Sequence, residues 1–286
     1  MDNLLIRNPV PADLPGMYKS FLAAFSDYQL PFRLSEEAFH KKFVEKLSID
    51  FNLSCIALDQ QKIVAFIFTS LACYDGKWTA YNGGTGVIPA FRGRQLTARL
   101  YNVILPQLRK QDVEQCVLEV LTTNHQAIRA YEKIGFKKSR YYNCFKLLSV
   151  PKRGETTIQG VMIGECPNPD WDLFNTYDDD NSSFLDSQSL LKKNLKNEVV
   201  VTAVYNGKTI AYVIYQKNGR FSRIGVDPDF RGKGVGSALV HFAFRDCDNK
   251  ELTVINVNRE NDKIIRFFTN LGFKNQVDQY ELKLVL

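Results

Sequence analysis

Gly86-Val87-Ile88-Pro89-Ala90-Phe91-Arg92-Gly93-Arg94 returns 139 residues later as Gly225-Val226-Asp227-Pro228-Asp229-Phe230-Arg231-Gly232-Lys233. A second block, Asn124 to Gly135-Phe136, returns as Asn261 to Gly272-Phe273 at an offset of 137. Two blocks in the same order at nearly the same spacing mark a duplication. A period this long means paired domains, because stacked solenoid repeats run ~20–50 residues. The expected domains are 1–150 and 151–286. Their linker is placed near Ser149–Glu155, where Pro151-Lys152-Arg153-Gly154 breaks regular structure.

Working outward, Leu53–Leu58 and Ile63–Phe68 read as a hairpin, matched later by Val199–Tyr205 and Thr209–Tyr215 around Asn206-Gly207. Asn-Gly tolerates positive φ at both turn positions, which a tight hairpin needs. The first half begins with a strand over Leu4–Arg7 and a helix from Leu14 to Phe25, with Asp13 as its N-cap. A second helix, Glu36–Leu47, carries Phe39, Phe43 and Leu47 on one face. After the strand ending at Val87 come helix Leu96–Lys110, strand Val117–Leu121, helix Gln126–Ile134 and strand Tyr141–Leu147. Gly160–Leu195 reads as a polar loop around Asp178–Ser183, anchored by Trp171, with one helix over Ser187–Lys196.

The composition is that of a soluble globular protein: 286 residues, 45% hydrophobic, 24% charged. The net charge of +6 is spread along the chain, with no basic run interleaved with aromatics, so no nucleic-acid partner is expected. No apolar run approaches the ~20 residues of a membrane helix, and the N-terminus has no signal pattern. The expected location is the cytoplasm. The six cysteines are irregularly spaced and far from the three histidines, so neither a disulfide framework nor a metal site is expected.

Arg231-Gly232-Lys233-Gly234-Val235-Gly236 follows a β-rich stretch and opens the apolar helix Ala238–Phe244. A strand, a glycine-rich turn and a helix N-terminus point several amide groups at one place, which suits a phosphate. Arg231 and Lys233 can add charge-assisted bonds. An ordinary tight turn is the competing reading. The nucleotide-binding pattern Gly-x-x-x-x-Gly-Lys-Ser/Thr is absent.

Together these residues resemble the GNAT superfamily of N-acetyltransferases. Val226-Asp227-Pro228 with Arg231 to Gly236 matches its central Gln/Arg-x-x-Gly-x-Gly/Ala motif. Asn124, Ala127, Tyr131, Gly135 and Phe136 match its later motif. The resemblance covers nearly the whole chain as two copies. It implies an α/β (α+β) fold: two tandem domains, each a mixed, mostly antiparallel sheet flanked by helices. It implies that the fourth and fifth strands splay apart around acetyl-CoA, which pairs with backbone near Val87 or Val226. It also implies direct attack by an amine, without an enzyme nucleophile. The implied donor-binding residues are Arg92, Gly93, Arg94, Gln95, Leu96, Thr97 and Asn124 in the first copy. In the second they are Arg231, Gly232, Lys233, Gly234, Val235, Gly236 and Asn261.

The copies depart from the motif in opposite ways. Gln95 and Thr97 stand where the first loop should have small residues, while Ile264 and Phe268 replace Ala and Tyr in the second. Tyr131 resembles the tyrosine that protonates the departing thiolate. Glu119 is a candidate general base and Tyr81 a candidate acceptor-site residue, although each equally suits an ordinary structural role. An acetyltransferase working in the first domain on a small-molecule or peptide amine is therefore the expectation. Catalysis and CoA binding in the second domain, or a CoA-binding or interaction module without catalysis, are the alternatives. A monomer that mimics a dimer, or a homodimer, fits the duplication.

Overall fold

A computed structural model describes residues 4–27, 34–149, 159–178 and 182–286. The expected linker from residue 150 to 155 and positions 179–181 of the expected polar loop lie outside the described residues. Chain order in the first copy is β1 (Leu5–Arg7), α1 (Leu14–Ala24), α2 (Glu36–Phe39, continuing as a π-helix over His40–Lys46), β2 (Cys55–Asp59), β3 (Lys62–Tyr74) and β4 (Lys77–Val87). There follow α3 (Leu96–Lys110), β5 (Gln115–Leu121), α4 (His125–Ile134) and β6 (Lys137–Leu147). The second copy runs β7 (Val161–Glu165), α5 (Trp171–Tyr177), α6 (Gln188–Lys193), β8 (Val199–Tyr205), β9 (Lys208–Tyr215) and β10 (Arg220–Val226). It ends with α7 (Val235–Asp246), β11 (Leu252–Asn258), α8 (Asp262–Asn270) and β12 (Lys274–Val285).

Local chemistry accounts for most boundaries. Asn206 and Gly207 both take positive φ, 49° and 77°, in the β8–β9 hairpin. Gly135 closes α4 in the left-handed region at φ 110°. Asp13 precedes α1 but does not cap it; its carboxylate is held by the Arg7 guanidinium at 2.7 Å and by the Val10 amide. Between Gly160 and Leu195 the polar composition hides β7 and α5, because β7 is a half-exposed strand and α5 is short. Trp171 opens α5.

The chain forms two compact units, Met1–Ser139 with Tyr280–Leu286, and Arg140–Gln279. They differ from the 1–150 and 151–286 division read from sequence. In the first unit the sheet order is β1-β2-β3-β4-β5-β12; in the second it is β6-β11-β10-β9-β8-β7. Each copy's last strand thus completes the other copy's sheet. β6 pairs antiparallel with β11, from Leu147↔Leu252 to Tyr142↔Asn258. In the first unit the buried Glu281 carboxylate accepts from the Tyr74 hydroxyl (2.7 Å) and the Ser139 hydroxyl (2.6 Å).

The first core packs Phe21, Phe39 and Phe43 against Phe66 and Phe68 of β3. In the second, Leu239, Val240 and Ala243 of α7 pack with Val213 and Phe221, while Phe174 stacks on Tyr212 at 3.9 Å on the other face.

Candidate active site

The site begins where two parallel strands stop pairing. In the first unit β4 and β5 share only Thr79↔Gln115, Ala80↔Cys116 and Tyr81↔Val117, although both strands run on. In the second, β10 and β11 share only Arg220↔Thr253 and Phe221↔Val254. Just beyond, the fourth strand of each unit carries one extra residue, Gly83 in β4 and Ser222 in β10. These are the same repeat position. A bulge bends and twists its strand, so each splay is built into the ladder.

The phosphate-loop positions follow at the far end of that strand. Gly234 sits before α7 at φ 86°, and Gln95 sits before α3 at φ 56°. Glutamine accepts a left-handed conformation that costs a side-chain-bearing residue ~1–2 kcal/mol, so the loop path survives the loss of glycine. Neither residue's side chain caps its helix, which leaves the first-turn amides, including those of Leu96 and Thr97 or of Val235 and Gly236, without an intrahelical partner. Leu96 and Val235 bury their side chains. A Cβ on Gly236 would lie 3.1 Å from Phe267. The first copy carries Thr97 and Ala130 at these two positions, so the bulk added at one is removed from the other. Gly93 and Gly232 take positive φ with open space where a side chain would go.

The loop arginines, expected to add charge to a phosphate site, also hold the loop in place. Arg92 donates from Nε to the Val87 carbonyl (3.2 Å) and from Nη2 to the Ala24 carbonyl (2.9 Å), and it pairs with Asp27. Arg231 repeats this with the carbonyls of Val226 (2.9 Å) and Tyr177 (3.1 Å). Both guanidiniums pin the loop to the strand end and to the preceding helix. The exposed second cations, Arg94 and Lys233, lie over Phe91 (4.6 Å) and Phe230 (5.1 Å). Asn124 and Asn261 act as N-caps, accepting from the amides of Ala127 (3.1 Å) and Ile264 (3.2 Å).

The structure brings Tyr81 and Glu119 together: the tyrosine hydroxyl donates to the Glu119 carboxylate from the last paired residue of β4. Lys42, on the π-helix, faces the same carboxylate electrostatically. Burial lowers the lysine's pKa, and the Glu119 charge opposes that shift. Tyr131 is buried against Tyr101 (6.3 Å between rings) and Phe136 (5.7 Å). Asn82 donates to the Tyr101 hydroxyl (2.7 Å) and braces the bulge by accepting from the Gly84 amide (3.1 Å). Burial holds the Tyr101 phenol well above its usual pKa and pushes the neighbouring Cys116 thiol up to about 12.

In the second copy the same repeat positions hold Arg220 for Tyr81, Phe221 for Asn82, Val240 for Tyr101, Asn256 for Glu119 and Phe268 for Tyr131. The first unit therefore keeps a polar interior where the second has aromatic packing, Phe221 against Phe268 at 5.9 Å. Sequence reading missed Lys42, Asn82 and Tyr101. Aligning the two copies position by position exposes Asn82 and Tyr101. Lys42 carries no such signal, because its place depends on the π-helical turn.

The second unit holds a cleft of about 570 Å³. It runs from Gly232, Gly234 and Gly236 past Val226 and Asn258 to Ser183 and Arg223. Among the described residues, no group of three or more His, Cys, Asp or Glu side chains is placed to hold a metal ion, and no helix is long and apolar enough to cross a membrane.

A pair of parallel strands that splays beside a loop opening onto a helix N-terminus is built twice in this chain. The family model described as acetyltransferase (GNAT) family matches residues 15–136 and again 167–273, and the chain belongs to that family. It is 31% identical over 83 residues to an uncharacterized N-acetyltransferase of Methanocaldococcus jannaschii, a match covering 25% of this chain and 37% of that relative. The chain thus spans little more than a third of the curated relative it matches. A GCN5-related N-acetyltransferase from Sphaerobacter thermophilus superposes with a TM-score of 0.76 at 18% identity, covering 100% of this chain and 96% of that one. A tandem GNAT protein from the clavulanic acid biosynthesis pathway superposes at 0.73 with 14% identity, covering 99% and 98%. Both likenesses establish the fold.

Proposed function

We propose that the protein is an acetyl-CoA-dependent N-acetyltransferase whose chemistry takes place in the first unit, on a small-molecule or peptide amine. The observation that carries this reading is the Tyr81–Glu119 hydrogen bond at the mouth of the β4–β5 splay, with Tyr131 retained and all three positions replaced in the second copy. A buried polar network costs stability unless fully satisfied, so its presence in one copy alone supports placing the chemistry there. The residues fit the donor. The first-turn amides of α3 would hold its phosphates, and the unpaired β4 backbone beyond Tyr81 would receive the pantetheine arm.

In this reading the amine nitrogen attacks the thioester carbonyl carbon; the C–N bond forms and the C–S bond breaks. Glu119, held by Tyr81, takes the proton that leaves nitrogen. Tyr131 supplies the proton to the departing thiolate. A thiol pKa near ~8.5 makes thiolate a fair leaving group, so Tyr131 adds rate without being indispensable. Lys42 faces the Glu119 carboxylate, whose charge offsets part of the lysine's burial penalty.

The test is CoA release from acetyl-CoA across a panel of primary amines. Glu119→Gln should lower kcat/KM by roughly 10²–10⁴-fold, the usual worth of a positioned base. Tyr131→Phe should cost less. Full activity in both variants would remove the first unit from the chemistry.

A further inference from the structure

Asn82 is a buried polar residue that the chemistry above leaves unused. It is 6% exposed, and its side-chain amide makes three hydrogen bonds. The amide oxygen accepts from the Gly84 N–H (3.1 Å), which closes a turn across the β4 bulge. The amide nitrogen donates to the Thr85 hydroxyl (2.7 Å) beyond the bulge and to the Tyr101 hydroxyl (2.7 Å) on α3. Tyr101 in turn stands edge-on to Tyr131, with 6.3 Å between the rings. One side chain therefore joins the backbone of the splay to the wall that holds Tyr131.

This bulge needs a brace from outside. Gly83 has no partner on β3, and a second glycine follows it. Two glycines in series leave the backbone wide conformational freedom. A side chain at the first of them is shut out, because a Cβ on Gly83 would lie 2.7 Å from the buried Leu47.

The second copy holds its bulge differently. Ser222 and Arg223 occupy the two glycine positions, and each ties itself down: the Ser222 hydroxyl donates to Glu198 (3.1 Å) and Arg223 donates to Asp178. Phe221 then stands in the place of Asn82 and packs against Phe268. The amide brace thus goes with the bare bulge, and both go with Glu119 and Tyr131, which the second copy also lacks. A glycine segment in a strand, held from outside, leaves its backbone open to close approach by a ligand.

We propose that Asn82 is a positioning residue for acetyl transfer, fixing the β4 backbone beyond Tyr81 relative to Tyr131 through its bonds to Gly84 and Tyr101. The proposal rests on placing the chemistry in the first unit. Asn82 acts through these neighbours and touches no reacting atom.

The test is CoA release from acetyl-CoA with the fastest primary amine of the panel, on the full chain, with kcat normalised to the folded fraction from circular dichroism. Asn82→Leu keeps the side-chain volume and removes all three bonds. It should lower kcat roughly 10–100-fold, the scale of a misplacement near ~1 Å, while KM for acetyl-CoA stays within about threefold. In a Tyr131→Phe background the same substitution should lower kcat by a smaller factor, because one of the two groups it positions is already gone. Loss of folded protein would scale both backgrounds alike, so this difference separates positioning from support of the fold. Tyr101→Phe removes one hydroxyl and leaves the Gly84 bond. It should lower kcat roughly 3–10-fold in the wild type and have little effect beside Tyr131→Phe, which keeps the test open if Asn82→Leu does not fold. Wild-type kcat in either variant, or the same factor in both backgrounds, would overturn the proposal. Glu119→Gln, run in parallel, tells two failures apart. A slow Glu119→Gln beside a fast Asn82→Leu ends the positioning role alone, whereas full activity in both removes the first unit from the chemistry and this proposal with it.

Discussion

Gly86→Ala should destabilise the first unit sharply. Gly86 faces the third strand, and a Cβ built there lies 2.4 Å from Phe66 Cζ, 2.7 Å from Phe66 Cε1 and 2.8 Å from Ala24 Cβ. Ordinary carbon contacts start near ~3.5 Å, so the Phe66 ring must retreat by about 1 Å. It has little room: Phe66 is fully buried and stacked on Phe68 at 4.4 Å, with Phe21 and Phe25 at 6.2 and 6.5 Å. Overpacking of this kind costs ~1–3 kcal/mol. With a urea m-value of ~2 kcal/mol/M, about 2 kcal/mol moves the midpoint down by ~1 M. The two tryptophans, Trp78 and Trp171, fall one in each unit and supply the assay. In a Trp171→Phe background, Trp78 fluorescence during urea unfolding should register that shift. Gly225→Ala is the repeat counterpart, with Tyr212 at 2.5 Å and Tyr177 at 2.9 Å from the new Cβ, and Trp171 should report it in a Trp78→Phe background. A Gly86→Ala midpoint within ~0.2 M of its parent, below ~0.5 kcal/mol, would refute the close packing and with it the reason both copies keep this glycine.

Other outcomes follow from single contacts. Gln95→Gly should stabilise the first unit by ~0.5–1 kcal/mol, because relief of left-handed strain exceeds glycine's entropic cost; a loss of stability in thermal unfolding would contradict the φ of 56°. Glu281→Ala removes the carboxylate that the Tyr74 and Ser139 hydroxyls share, leaving Ser139 the Glu281 backbone carbonyl at 3.3 Å, and should cost ~1–3 kcal/mol by denaturant titration. The Arg7 hydrogen bond holds the Asp13 carboxyl below its usual pKa, so the folded value lies under the unfolded one near ~4. That pair's contribution is complete above the unfolded value and lost as pH falls through the folded one; the stability gap between wild type and Arg7→Met should therefore begin to narrow only below the unfolded value of ~4 and vanish in stronger acid. A gap that persists in acid would assign it to packing of the arginine stem.

Much of the site was legible because its requirements are local. A left-handed position before a helix, an asparagine N-cap and a glycine under an aromatic ring all leave marks within a few residues, and the duplication displays each mark twice. The carbonyl contacts of Arg92 and Arg231 were hidden for the opposite reason. A position beside the phosphate loop suits a ligand-binding arginine and a loop-pinning one alike, and only the tertiary structure brings the carbonyls of Val87 and Val226 to hydrogen-bond distance. Tyr81 and Glu119 stand on different strands, so their bond awaited the β4–β5 register. Lys42 needed the irregular π-helical turn that no periodicity announces.

The sequence by itself determined two copies of one strand-and-helix order, the hairpins, the two anion loops and the family, since periodicity, turn chemistry and short motifs are properties of neighbouring residues. Only the tertiary structure decided which strands complete which sheet. β6 follows α4 and reads as the end of the first domain, yet its ladder partner is β11, while Tyr280–Leu286 folds with the first unit. The duplication is the physical reason. Two copies present sheet edges of the same kind to two terminal strands of the same pattern, so local sequence is satisfied by either pairing, and the choice rests on the chain's path and on contacts such as Glu281 with Tyr74, 207 residues apart.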